Sequence, residues 1–254
     1  MDGAPLLGAK EVERMAVAAG AVALVTGGTR GIGRSIVESL AGRGLRVWFI
    51  SRSADDVKAA ERDLSRSRDG AVYGRVCDVR DFGQLEKLVA EIEGAESRLD
   101  VLVNNAGMGH FGPVDEMDPT RFREVIEINL VGPFHVMRAA VPLMKRGGGG
   151  WIFNIASLAA KNAMAGGAAY NASKFGLVGM SEAAMLDLRH QGIRVAAVCP
   201  GSVATEMRTT FRAEPQEWML RPEDVARVVT DLLDFPDRAL PSLVEIRPSR
   251  PPKK

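Results

Sequence analysis

Residues 26–33 read TGGTRGIG and follow directly on the apolar run AVALV at 21–25. A chain that leaves a buried strand through glycines and starts a helix at once is doing one of two things. It is making a tight turn, or it is bringing a phosphate against bare backbone. Glycine serves both, because it tolerates positive φ and leaves neighbouring N–H groups uncovered. The spacing is Gly27-x-x-x-Gly31-x-Gly33, with Ile36 where GxGxxG sets its third glycine. The flanking elements must decide between the two readings.

Apolar runs ending in turn residues occur at 21–27, 46–51, 71–77, 100–105, 151–157, 193–199 and 243–248. Most are continuous rather than alternating, as expected of strands covered on both faces. Helical patterns lie between them at 31–43, 53–66, 81–93, 121–144, 168–191 and 222–234. The first carries Ile32, Ile36, Val37 and Leu40 at helical spacing, and the second opens SADD, a capping-box pattern. The alternation predicts an α/β, doubly wound parallel sheet of about seven strands with helices on both faces. GGGG at 147–150 reads as a turn before the fifth strand, so 16–254 is one domain behind an N-terminal extension, 1–15, with Met15 an alternative start. In such a sheet ligands sit beyond the carboxyl ends of the strands. The glycine turn falls there, with helix-start amides behind it, and so reads as a dinucleotide site.

Composition narrows the partners. The 254 residues are 46% hydrophobic and 26% charged, with net charge +1, which gives no basic surface for nucleic acid or an anionic membrane. Cys77 and Cys199 each end an apolar run and read as small buried side chains in a reducing compartment. His110, His135 and His190 are scattered without ligand spacing, so no metal is expected. The N-terminus lacks the pattern of a secretory signal, and no apolar run is long enough to span a bilayer. A soluble, cytoplasmic chain is expected, with RPSRPPKK at 247–254 a solvated tail.

The end of the second strand selects the nucleotide. A carboxylate there would accept both ribose hydroxyls and repel a 2′-phosphate. This chain has Ser51-Arg52-Ser53 instead, and Arg30 lies inside the glycine turn. Arginine forks match phosphate oxygens, so NADP(H) is favoured; the plainer reading is two solvated surface arginines.

Tyr170 and Lys174, four apart in AAYNASKFGL, share one helix face. A free phenol titrates near about 10, and a neighbouring ammonium favours its ionised form. Ser157 ends the fifth strand in NIAS, where its hydroxyl is placed to donate to a carbonyl oxygen as charge develops. Asn129 is polar among apolar neighbours in EVIEINLVG. Either it bonds a nearby carbonyl and bends its helix, or it holds a water linking Lys174 to solvent.

Together, TGGTRGIG, CDV at 77–79, NNAG at 104–107, Asn129, Ser157, Tyr170-x-x-x-Lys174 and PG at 200–201 resemble the short-chain dehydrogenase/reductase family, in its single-domain Rossmann-fold branch. The match runs from about Val22 to Thr205 in order. The resemblance implies that Gly27, Arg30, Gly31, Ile32 and Gly33 form the phosphate turn, with Arg30 and Arg52 toward the 2′-phosphate and Ser51 also binding the cofactor. It implies that Asp78 accepts from the adenine amino group, that Val79 flanks the ring, and that Asn104, Ala106 and Gly107 line the adenosine side. Tyr170 would be the general acid/base and Ser157 would orient the carbonyl. Lys174 would bind the nicotinamide ribose, with Asn129 completing a proton relay. Pro200, Gly201, Val203 and Thr205 would hold the nicotinamide. The implied reaction is hydride transfer between NADP(H) and a small-molecule carbonyl or secondary alcohol. Substrate contacts are expected from 108–111, 158–164 and a lid at 206–221 that contains Arg208 and Arg212, the lid reading standing beside that of a fixed surface helix. The ending VEIRPSRPPKK departs from the Gly-rich close of the family's acyl-carrier-protein reductases, which favours a homodimer through 121–144 and 168–191 over a tetramer. Three substrate classes stay open: 3-oxoacyl thioesters, hydroxy acids, and ketones or aldehydes broadly. The competing function is an NADP-binding sensor or scaffold without turnover. Epimerases that share YxxxK need a larger C-terminal domain than this chain has room for.

Overall fold

The first strand, β1 (Val22–Thr26), is buried at every residue. Its side chains alternate between two helical layers. Ala23 and Val25 join one apolar cluster, while Val22 and Leu24 join the other. The same alternation runs through β2 (Arg46–Ser51), where Val47 and Phe49 face the first layer and Trp48 and Ile50 the second. A sheet buried on both faces explains why these strands read as unbroken apolar runs. This computed structural model describes residues 17–66, 72–206 and 217–252. The expected extension 1–15, Met15 with it, and residues 207–216 of the expected lid, with Arg208 and Arg212, lie outside the described residues.

The remaining strands are β3 (Val72–Val76), β4 (Val101–Asn104), β5 (Gly150–Ile155), β6 (Ile193–Pro200) and β7 (Leu243–Ile246). They form one seven-stranded sheet in the order β3-β2-β1-β4-β5-β6-β7, and every pairing is parallel. All seven carboxyl ends therefore lie along one edge. Chain direction reverses its lateral progress between β1 and β4, which opens a crevice beside the glycine turn.

Helices α1 (Gly31–Gly42) and α2 (Ala54–Arg66) cover the first face, together with α7 (Pro222–Leu232). On the other face lie α3 (Phe82–Glu96), α5 (Gly132–Arg146) and α6 (Ala168–Leu188). Local chemistry sets the ends. Ser53 Oγ accepts the Asp56 N–H at 3.2 Å, which is one half of the expected capping box at α2. Asp81 caps α3 through the Gln84 N–H. Helix α4 (Pro119–Ile126) starts on a proline behind the Asp118 cap.

One expectation is corrected. The single helix read over 121–144 is α4 and α5 joined by a π turn, Glu127–Val131, in which the Gly132 N–H reaches back five residues to Glu127 O. Asn129 sits in that widened turn. Smaller differences concern ends; among them, β7 stops at Ile246 rather than 248, and α6 gives way to a 3-10 turn, Arg189–Gln191.

Both cysteines are free and buried. A polar chain crosses the second layer, in which Asn104 Nδ2 donates to Asn154 Oδ1 and Asn154 Nδ2 donates to Ser181 Oγ, both at 2.8 Å. Asn154 is fully buried, so removing its amide strands the Asn104 donor in a dry interior. Asn154→Ala is expected to lower the unfolding free energy by about 2–4 kcal/mol at an unchanged urea m-value. A loss within about 0.5 kcal/mol would mean that water enters the layer.

Candidate active site

The glycine turn fits a diphosphate by its own geometry. Gly27 and Gly31 have φ of 68° and 53°, in the left-handed region. A Cβ at Gly33 would lie 2.1 Å from Gly27 O and 2.4 Å from Asn105 Nδ2, so the turn closes on itself only with glycine there. Arg30 stands at the α1 N-cap without a side-chain hydrogen bond to the helix, and the first turn contains no acid. The opening amides of α1 are thus uncapped by the protein's own side chains, at the positive end of the helix dipole. Ile32 packs partly into the first apolar layer.

Asn105, which the sequence reading passed over, secures this turn. Its Nδ2 donates to Thr26 O at 3.0 Å and Gly27 O at 3.2 Å. Thr26 Oγ1 in return accepts the N–H groups of Asn105 and Ala106, at 3.0 and 2.9 Å. Asn104 departs from its expected role. Its side chain is turned into the second layer against Asn154 and does not face the edge.

At the adenosine end, Ser51 closes β2 and Arg52 is exposed beyond it. Asp78, two residues past β3, holds a bidentate ion pair with Arg80. That pair, chiefly its hydrogen bonds, keeps the Asp78 carboxyl below the usual carboxylate range, with Arg52 adding a weaker pull. The Val79 side chain is buried where a Cβ on Gly132 would meet it at 2.7 Å.

The reactive groups gather where β4, β5 and α6 meet. Tyr170 and Lys174 lie one turn apart on α6, with Lys174 Nζ 5.8 Å from the Tyr170 ring centre. Lys174 is buried and donates to Ile155 O at 2.9 Å, and burial pushes its amine down to about 8. Ser157 follows β5 and caps the 3-10 turn Leu158–Ala160, its Oγ accepting the Ala159 N–H at 3.1 Å. A hydroxyl that accepts keeps its own proton to donate. Gly107 abuts this corner, since its Cβ would lie 3.3 Å from Asn129 Oδ1 and 3.8 Å from Lys174 Nζ.

Asn129 is fully buried, and its amide is committed. Oδ1 accepts the Met108 N–H, while Nδ2 donates to Met108 O and Ser173 Oγ, at 2.8, 2.8 and 3.0 Å. The side chain thus ties neighbouring backbone, as the first of the two readings has it. Asn171, also passed over, is a second clamp. Its Nδ2 donates to Ala159 O and Asn162 O, and its Oδ1 accepts the Met164 N–H. One side chain beside Tyr170 therefore fixes the expected substrate loop to α6. Phe111, from the other expected loop, lies tilted against the Tyr170 ring, the centroids 5.4 Å apart.

Pro200 ends β6, and Gly201 packs so closely that a Cβ would meet Pro248 Cδ at 2.9 Å. Val203 is buried and pairs with Leu220. Thr205 reaches the glycine turn, 3.4 Å from where a Gly31 Cβ would be. Beside it, Arg30 Nη1 donates to Glu206 Oε2 at 2.6 Å. Among the described residues no cluster of three or more His, Cys, Asp and Glu is arranged to hold a metal ion, and no helix is long and apolar enough to cross a membrane.

Comparison with known proteins agrees with this geometry. The family described as short chain dehydrogenase matches residues 21–216. Trans-4-hydroxycyclohexanecarboxylate dehydrogenase of Sinomonas cyclohexanicum is 37% identical over 84% of this chain and 84% of its own. A metagenomic short-chain oxidoreductase solved in complex with NADP is 36% identical, with TM-score 0.80 over 92% of this chain and 99% of its own. A single-residue variant of actinorhodin polyketide ketoreductase, solved with NADPH, is 33% identical, with TM-score 0.84 over 91% and 98%.

The buried amine makes a measurable demand on stability. In the unfolded chain a lysine keeps its proton to about 10.4, whereas folded Lys174 releases it at about 8. Between those values the unfolded state binds more protons, so this residue makes stability rise with pH. Lys174→Met lacks that contribution. In urea unfolding of the ligand-free protein, the native chain is expected to gain on the order of 2–3 kcal/mol relative to the variant from about pH 7 to about pH 10. Parallel pH profiles would show that the amine is hydrated.

Proposed function

The chain belongs to the short chain dehydrogenase family and is an oxidoreductase, and from that premise we propose that it interconverts a carbonyl and a secondary alcohol with NADP(H), Tyr170 carrying the proton. The observation that carries this reading is the placement of Tyr170 and the buried amine of Lys174 on the same sheet edge as the uncapped start of α1. When bound, NADPH supplies the hydride. Everything else falls to side chains of this protein.

Ser157 Oγ, held by the Ala159 N–H, donates to the substrate oxygen and fixes which face of the carbonyl is presented. Tyr170 gives its proton to that oxygen in reduction and takes it back in oxidation. Lys174, anchored on Ile155 O, keeps positive charge beside the phenol and stabilises the phenolate left behind. A relay water would sit on the backbone of the π turn, where i→i+5 winding leaves a carbonyl short of its usual donor.

NADP(H) rather than NAD(H) is supported by Arg52 at the β2 end and by the absence of an acid there. Substrates fit three classes: 3-oxoacyl thioesters, hydroxy acids, and ketones or aldehydes broadly. A homodimer is supported by α5 and α6, which expose Phe134, Phe175 and Leu186 at 51%, 47% and 53%.

A screen of those three classes, followed by NADPH absorbance, tests the activity. On whichever substrate turns over, Tyr170→Phe is expected to cut kcat/KM at least about a hundredfold while leaving NADPH affinity within about twofold. Undiminished turnover would sink the assignment of Tyr170. By fluorescence titration the native protein is expected to bind NADPH about tenfold or more tighter than NADH, and Arg52→Asp to narrow or reverse that gap. Equal native affinities would refute the 2′-phosphate reading.

A further inference from the structure

The turn between β3 and α3 holds more than a carboxylate waiting for a base. Asp81 N–H bonds Asp78 O at 3.0 Å, closing a turn, and the Arg80 N–H donates back to Asp78 Oδ1 at 3.0 Å. The Arg80 guanidinium then folds over the same carboxylate. Nε reaches Oδ1 at 3.1 Å and Oδ2 at 3.0 Å, and Nη2 reaches Oδ2 at 2.6 Å. The Asp78 backbone is held as well, because Gln84 Oε1 accepts its N–H at 3.1 Å while Gln84 Nε2 donates to Asp81 Oδ2. Glu124 and Glu127 attract the guanidinium from the neighbouring helix.

We infer that Arg80 is a positioning residue for the adenine end of the cofactor, fixing the plane of the Asp78 carboxylate so that one lone pair faces the adenine amino group. This inference rests on the NADP(H) reading above. A short acidic side chain beyond a strand end has several rotamers open to it, whereas a planar fork bonded to both oxygens leaves one. A carboxylate offers about four lone-pair directions. The Arg80 N–H, Nε–H and Nη2–H are three protons making four contacts, the Nε–H shared between both oxygens, so the carboxylate keeps acceptor capacity for one further donor. An exocyclic amine supplies such a donor, and a keto oxygen at the same ring position does not. Arg80 thereby turns a general anionic site into one that reads a base edge.

The opposite physical outcome is that Arg80 masks Asp78, and the two are separable by binding alone. Calorimetric titration of the full chain would compare NADPH with its hypoxanthine analogue, in which a keto group replaces the adenine amine. The native protein is expected to prefer NADPH by about tenfold or more, the worth of one hydrogen bond to a charged group. Arg80→Ala is expected to reduce that preference to under about threefold while the NADPH-over-NADH ratio holds. Arg80→Lys, a point charge without the fork, should restore only part of it. A merely structural role would weaken both nucleotides alike and leave the amine-to-keto ratio intact. Full retention of that ratio in Arg80→Ala, or tighter NADPH binding, overturns the inference. So does a native protein that binds both nucleotides equally. A native protein that binds neither overturns the NADP(H) reading itself.

Discussion

The site depends on a stitch across the sheet, between the ends of β1 and β4. Thr26 and Asn105 anchor four hydrogen bonds there, from the Asn105 amide to two carbonyls and from two backbone N–H groups to one hydroxyl. These strands flank the point where the sheet changes winding direction, and a crevice forms there whether or not anything fills it. The stitch gives the crevice a fixed floor. From it the glycine turn leads one way to α1, and the segment through Gly107 leads the other way to Asn129 and Lys174.

A second constraint is dryness. Lys174 reaches its position only by running the length of its side chain through the protein interior, where its amine bonds the Ile155 carbonyl. Burying an amine is costly unless a ligand or a partner shares the charge. The surrounding rigidity is consistent with that cost. The π turn is pinned through Asn129, and the loop after Ser157 is pinned through Asn171, each amide both donating and accepting.

Much of this was legible in the residues. The seven strands, their order along the chain and the glycine turn follow from apolar runs and turn chemistry, because a doubly covered parallel sheet leaves no other pattern. What stayed hidden depends on direction rather than type. Asn104 and Asn105 are identical neighbours, yet one turns into the helical layer and the other onto the glycine turn. Alternation says that they diverge, but not which goes where. The break between α4 and α5 did leave a mark, Gly132-Pro133 directly after Glu127–Val131, since Pro133 has no N–H to give the carbonyl four residues back; the contact between Asn129 and Met108, twenty-one residues apart, was not readable. Val79 was assigned by resemblance alone, and its burial goes with Gly132, where a Cβ would meet it at 2.7 Å.

The Arg30–Glu206 pair carries a last consequence. Both side chains are about two-thirds exposed or more, at 71% and 66%, and they join opposite banks of the crevice. Water and dissolved ions surround such a clasp, which is worth at most about 1 kcal/mol and fades with ionic strength. Thermal agitation undoes it many times over during any slow process. What joins Arg30 to Glu206 is thus a contact whose strength is set by the surrounding solution as much as by the protein.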